Sequence, residues 1–111
     1  MLEYEDEDSE SPFSDWFDEL DPTAAARVTM ALVRLEQGNF GGSKSVGEGV
    51  VERRITFGPG YRIYYGRDGA TLVILLGGGT KQRQDGDIAT AKHRWGDYQR
   101  RKQGMDTKTW H

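Results

Sequence analysis

Three β-patterned segments stand in a row between Val50 and Leu76, and the links between them are too short for anything but hairpins. "VVERRITF" is followed by Gly58-Pro59-Gly60, "YRIYY" by the turn sequence "GRDG", and "TLVILL" comes next. A parallel pair would need a crossover of roughly a dozen residues or more, so this stretch must fold as an antiparallel meander. Alternation then assigns faces. Val51, Ile55 and Phe57 share one face of the first strand, and Val50, Glu52, Arg54 and Thr56 share the other. Arg53 falls on the apolar face and is expected to snorkel at a sheet edge. Tyr61, Ile63 and Tyr65 point one way in the second strand, Arg62 and Tyr64 the other. "TLVILL" lacks alternation and reads as a central strand buried on both faces.

Two helices precede the meander. Ser11 caps the first and Pro12 opens it; Asp21 and Pro22 do the same for the second. Phe13, Trp16, Phe17 and Leu20 recur at helical spacing, as do Ala25, Val28, Leu32 and Leu35. Gly38-Asn39 closes the second helix. The Asp-Pro break makes the pair a helical hairpin that packs on one sheet face. "FGGSKSVGEG" reads as a loop from its glycines and serines. A last helix starts near Asp85 or Asp87, with Ile88, Ala91, Trp95 and Tyr98 on one stripe. Residues 1–10 are an acidic arm or an edge strand, and residues 103–111 a flexible tail. The fold class is α+β, with residues 1–111 as a single domain: a small antiparallel sheet, an N-terminal helical hairpin and a C-terminal helix.

The charge is unevenly spread. The net charge of −3 hides ten acids and no base in residues 1–21, against fifteen bases and eight acids afterwards. The body is therefore +7 and suited to a polyanion, with an arm that is either solvated or modulates binding. Cysteine is absent, which removes disulfide scaffolds and thiolate metal sites. The longest apolar run, Leu72–Leu76, is far too short to span a bilayer. A cytoplasmic location is expected, with no membrane partner.

Known catalytic patterns fail in turn. "LLGGGTK" lacks the phosphate-loop spacing, because Gln82 follows Lys81. Its glycines are expected to let the chain leave the sheet sharply. His93 and His111 form no metal-ligand pattern, and no serine or cysteine nucleophile motif is present. What remains is a cationic sheet face of Arg54, Arg62 and Tyr64, close to Lys81 and Arg83. Guanidinium groups match phosphate oxygens, and a tyrosine, Tyr64 or Tyr61, can stack on a base. Such a face can bind RNA, stabilise the transition state of phosphodiester cleavage, or simply be solvated. If Arg62 is an exposed cation, truncating it should cost within about 0.5 kcal/mol.

The ordered motifs resemble a known family. "KSVGEGVVERRI", "GPGYRIYY", "GGTKQRQ" and "DIATAKHRW" are similar to the HigB-like, phage-derived branch of the RelE/ParE toxin superfamily, over about residues 13–100. The resemblance implies a type II toxin–antitoxin toxin with a RelE-like fold. It implies a ribosome-dependent messenger-RNA endoribonuclease that needs no metal or other cofactor. Its partners would be the ribosome, messenger RNA and a helix-turn-helix antitoxin. By position, Arg62 with Lys81 or Arg83 match the family's catalytic cations, and Arg54 and Lys44 match further basic positions; with Tyr64 these are expected to hold substrate. The family's catalytic tyrosine has no counterpart, since "QDGDI" offers Ile88, so Tyr64, Lys81 and Asp87 remain candidates for proton transfer. The alternatives are a ParE-like inhibitor of DNA gyrase and a basic nucleic-acid-binding module.

Overall fold

A computed structural model describes residues 1–109, with side chains through residue 104. The elements are β1 (Leu2–Glu3), α1 (Pro12–Asp18), α2 (Pro22–Glu36), β2 (Ser43–Gly47), β3 (Val50–Ile55), β4 (Tyr61–Asp68), β5 (Leu72–Thr80), one 3-10 turn (Lys81–Arg83) and α3 (Gln84–Thr109). They form one five-stranded sheet in the order β1-β5-β4-β3-β2. The short β1 runs parallel to β5; every other pairing is antiparallel. The architecture is the expected α+β one and agrees with a RelE-like fold.

Helix starts follow the sequence. Ser11 Oγ accepts the Ser14 amide at 3.1 Å, and Asp21 Oδ1 accepts the Ala24 amide at 2.8 Å. Each cap satisfies one amide that the first turn leaves without a partner. Gly38, at φ 82°, stops α2 in a left-handed conformation that suits glycine.

Strand alternation then builds three layers. Val73, Leu75, Ile63 and Tyr65 pack with Phe13, Val28 and Leu35 of the hairpin. Ile74, Leu76, Val50 and Tyr64 pack with Ala91 and Trp95 of α3. The face expected to lie open as a cationic surface is therefore largely roofed by α3. The last helix bears on the sheet because Gly66 leaves room for the Trp95 ring, which lies where any β-carbon would project.

Three local expectations change. The glycine-rich segment after α2 contains a strand, β2, pairing with β3 through a bulge between Ser45 and Gly47. Its glycines and polar residues mask the alternation. Strand β4 runs on to Asp68, so the turn begins only at Gly69, the last residue of "GRDG". The glycine run does not leave the sheet, because β5 continues to Thr80. A side chain at Gly78 would collide with Trp16 of α1, and one at Gly77 or Gly79 with Arg94 or Asp87 of α3. These glycines thin the strand so that helices can close on both sides.

The acidic arm is partly an edge strand. Leu2 and Glu3 pair with Ile74 and Leu75, and buried Tyr4 donates its hydroxyl to Asp97 Oδ2 at 2.7 Å. Helix α3 extends to Thr109, into the segment 103–111 expected as a tail; residues 110 and 111 lie outside the described residues.

Candidate functional site

The cross-strand register places Glu52 opposite Tyr64, and Arg54 opposite Arg62, all on the α3 side of the sheet. Glu52 is fully buried. A carboxylate taken out of water must be compensated by donors. Two hydrogen bonds supply it, from Arg54 Nε at 3.4 Å and from Gln84 Nε2 at 2.9 Å in the first turn of α3, and Arg62 Nε adds positive charge at ion-pair distance, 3.5 Å. Arg62 is 6% exposed. Its Nη1 also donates to the Gly60 carbonyl at 3.3 Å, and the same carbonyl accepts the Lys81 amide at 2.9 Å. Gly60 thus ties the β3–β4 turn to the end of β5 and brings Lys81 beside the Arg62 guanidinium.

The expected site residues divide into two groups. Lys81 and Arg83 are exposed on the 3-10 turn, with the half-exposed Arg54 side chain on β3. Arg62 is not the exposed cation anticipated; it is a buried, paired group that holds Glu52. Tyr64 is 1% exposed under α3, so its ring is not open for base stacking. Lys44 lies opposite Glu52 on the edge strand β2, is exposed, and is among the residues that line a different groove, against α2.

Beyond this network a pocket of about 300 Å³ opens where β5 passes its short β1 neighbour, lined by Trp16, Tyr64, Arg83, Asp87, Thr90 and Arg94. Asp87 sits over Gly79, and its Oδ2 is buried with no hydrogen-bond partner. Burial raises its carboxyl pKa from the ordinary value, against the opposing pull of Arg83 and Arg94. Burial raises the Tyr64 phenol far above its usual value, with Glu52 and Asp87 adding to the shift. Tyr64 therefore stays protonated at neutral pH, a possible donor and not a phenolate base. Arg94 Nη1 donates to the Leu76 carbonyl at 2.9 Å, next to the β4–β5 register shift.

The arrangement combines exposed cations with an acid of raised pKa at one end of the sheet. Such a combination can bind a phosphate and move a proton beside it. Among the described residues, no three His, Asp or Glu side chains gather as a metal ion would require, and no helix is long and apolar enough to cross a membrane.

Sequence reasoning missed Glu52, Gln84 and Arg94 as members of the cluster. Glu52 carried a signal, being an acid on the same strand face as Arg54 and Arg62. Gln84 and Arg94 carried none, because their partners lie 32 and 18 residues away.

The model of the family described as phage derived protein Gp49-like (DUF891) matches residues 15–96. An uncharacterized protein of Haemophilus influenzae (strain ATCC 51907 / DSM 11121 / KW20 / Rd) is 46% identical over 81 residues, covering 72% of this chain and 82% of that one. No solved structure matches. The matched segment takes in the second half of α1, all of α2, four of the five strands and the α3 turns that carry Gln84, Asp87 and Arg94, and on that span the chain belongs to the phage-derived, Gp49-like protein family.

Proposed function

We propose that this protein is the toxin of a type II toxin–antitoxin module, in the HigB-like branch of the RelE/ParE superfamily, and that it cleaves messenger RNA on the ribosome. The observation that carries the reading is the convergence of Glu52, Arg54, Arg62, Lys81 and Gln84, from three separate segments, beside Arg83 and Asp87. Lys81, Arg83 and Arg54 supply positive charge where a phosphodiester develops negative charge as a neighbouring 2′-OH attacks. The 2′-oxygen–phosphorus bond forms and the phosphorus–5′-oxygen bond breaks. Asp87 is placed to take the 2′-OH proton, and Lys81 to give one to the departing 5′-oxygen. Arg62 acts by position, fixing Glu52 and the Gly60 turn. A protein antitoxin of the helix-turn-helix type is the expected partner, and the cytoplasm the expected compartment.

Replacing Lys81 and Arg83 together by alanine should leave the fold intact, since exposed substitutions typically cost within about 0.5 kcal/mol. Growth arrest and message cleavage should both disappear, read by primer extension on RNA from induced cells. Arrest with uncut messages and trapped gyrase–DNA complexes would replace this reading with the gyrase one.

A further inference from the structure

A second cation-rich region lies on the other side of the sheet. Between α2 and the β2–β3 pair runs a groove of about 600 Å³, lined by Arg27, Arg34, Lys44, Arg53, Arg54 and Met30. Among the described residues no acidic one lines it. Arg54 alone of its five cations has a carboxylate within ion-pair distance among the described residues, and that carboxylate is Glu52 in the candidate site. Arg53 is 9% exposed, and its buried Nε has no hydrogen-bond partner. Arg27 rests over the Phe57 ring at 4.8 Å. Five cations that share a single carboxylate among the described residues repel one another, and an anionic occupant would relieve that repulsion.

The uncharged part of the groove identifies the class of occupant. Met30 is 54% exposed. Ala31 and Ile55 line the groove beside Met30. Sites for single-stranded nucleic acid combine cations with aromatic platforms for the bases. Among the described residues no aromatic side chain lines this groove, and the nearby Phe57 ring is already covered by Arg27. Aliphatic side chains between cations match a peptide that alternates carboxylates with leucine-like anchors.

We infer that the α2–β3 groove binds an acidic protein segment carrying aliphatic anchors, its carboxylates on Arg27, Arg34, Lys44 and Arg53 and its anchors on Met30 and Ile55. The inference deepens the reading of a toxin with a protein antidote by assigning where such a partner grips. Arg54 lines the groove and also touches Glu52, so occupancy would reach the edge of the candidate site without filling it.

The probe is a fluorescein-labelled peptide of alternating glutamate and leucine, compared with its glutamine counterpart and with a labelled oligouridylate. Binding to the full chain is measured by anisotropy. The glutamate peptide should bind the wild type and its glutamine counterpart should not. The double variant Arg27→Glu, Arg34→Glu should weaken peptide binding by roughly tenfold or more. Met30→Ser should weaken it less, while both variants keep the wild-type melting temperature and message cleavage. Oligouridylate binding lost in the double variant would make the groove an RNA interface and overturn the inference. Equal peptide binding by wild type and double variant, or none by either, would overturn it too. Message cleavage is scored separately, so a chain that binds peptide here but cuts no RNA would sink the proposed function and leave the groove standing.

Discussion

The two faces of the sheet are built from the same strands but by different rules. Toward the α1–α2 hairpin, Ile63, Tyr65, Val73 and Leu75 meet Phe13, Val28 and Leu35 in a core of uncharged, mostly apolar side chains. Toward α3, Val50, Ile74 and Leu76 are apolar for half the length of the sheet. The face then turns polar at Glu52, Arg62, Tyr64 and Asp87. The first face depends on burial and shape. The second depends on charge: Glu52 is held by Arg54, Arg62 and Gln84, while among the described residues Arg62 Nε, the Tyr64 hydroxyl and Asp87 Oδ2 are buried without a hydrogen-bond partner. The site stands where the core changes character, and helix α3 supplies both its apolar roof and its polar end.

The comparison breaks most sharply at the Glu52–Arg62 pair. Removing one member of a buried pair leaves an uncompensated charge, at a cost of about 3–5 kcal/mol. Arg62→Ala and Glu52→Ala should each lower the unfolding free energy from urea titrations by an amount in that range, unlike the near-neutral change expected of an exposed arginine. A neutral result for Arg62→Ala would mean the pair is solvated. Loss of toxicity in this variant would in any case reflect folding as much as chemistry, which is why Lys81 and Arg83 are the better probes of the reaction.

A smaller effect tests the apolar face. Gly78→Ala places a methyl group against the Trp16 ring, and overpacking of this kind typically costs about 1–3 kcal/mol. Thermal melts of Gly78→Ala and of Gly69→Ala, whose β-carbon meets open space, separate the two causes. Gly69, at φ 74°, reports backbone strain alone. If Gly78→Ala melts like the wild type, the close approach of Trp16 does not matter.

The smallest effect is a slope. Burial raises the folded-state pKa of Asp87, so its stability contribution is fully present below the unfolded-state pKa and is lost as pH rises through the folded value. Asp87→Asn should flatten the fall in stability across and just above the ordinary carboxylate range. Denaturant titrations at a series of pH values measure it. An unchanged slope would show that Asp87 is as well solvated when folded as when unfolded.

The sequence by itself determined the elements held by local rules. Ser11-Pro12 and Asp21-Pro22 start helices because capping and a preset φ act within one turn. The meander followed from link length, and "TLVILL" as a two-faced strand from its unbroken apolar run. The grouping of Arg54 with Arg62 followed from alternation and hairpin register. Strand β2 escaped because its pairing with β3, not its own composition, makes it a strand. Only the tertiary structure decided which cations face water. Arg62 and Lys81 look alike in sequence, yet α3 brings Gln84 over Glu52 and buries the first while the second stays exposed. The glycine run likewise reads as a departure from the sheet until Trp16, Arg94 and Asp87, from helices on opposite sides, are seen to need its missing side chains. Burial is a property of what packs against a residue, and for these residues the packing partners lie up to 62 positions away along the chain.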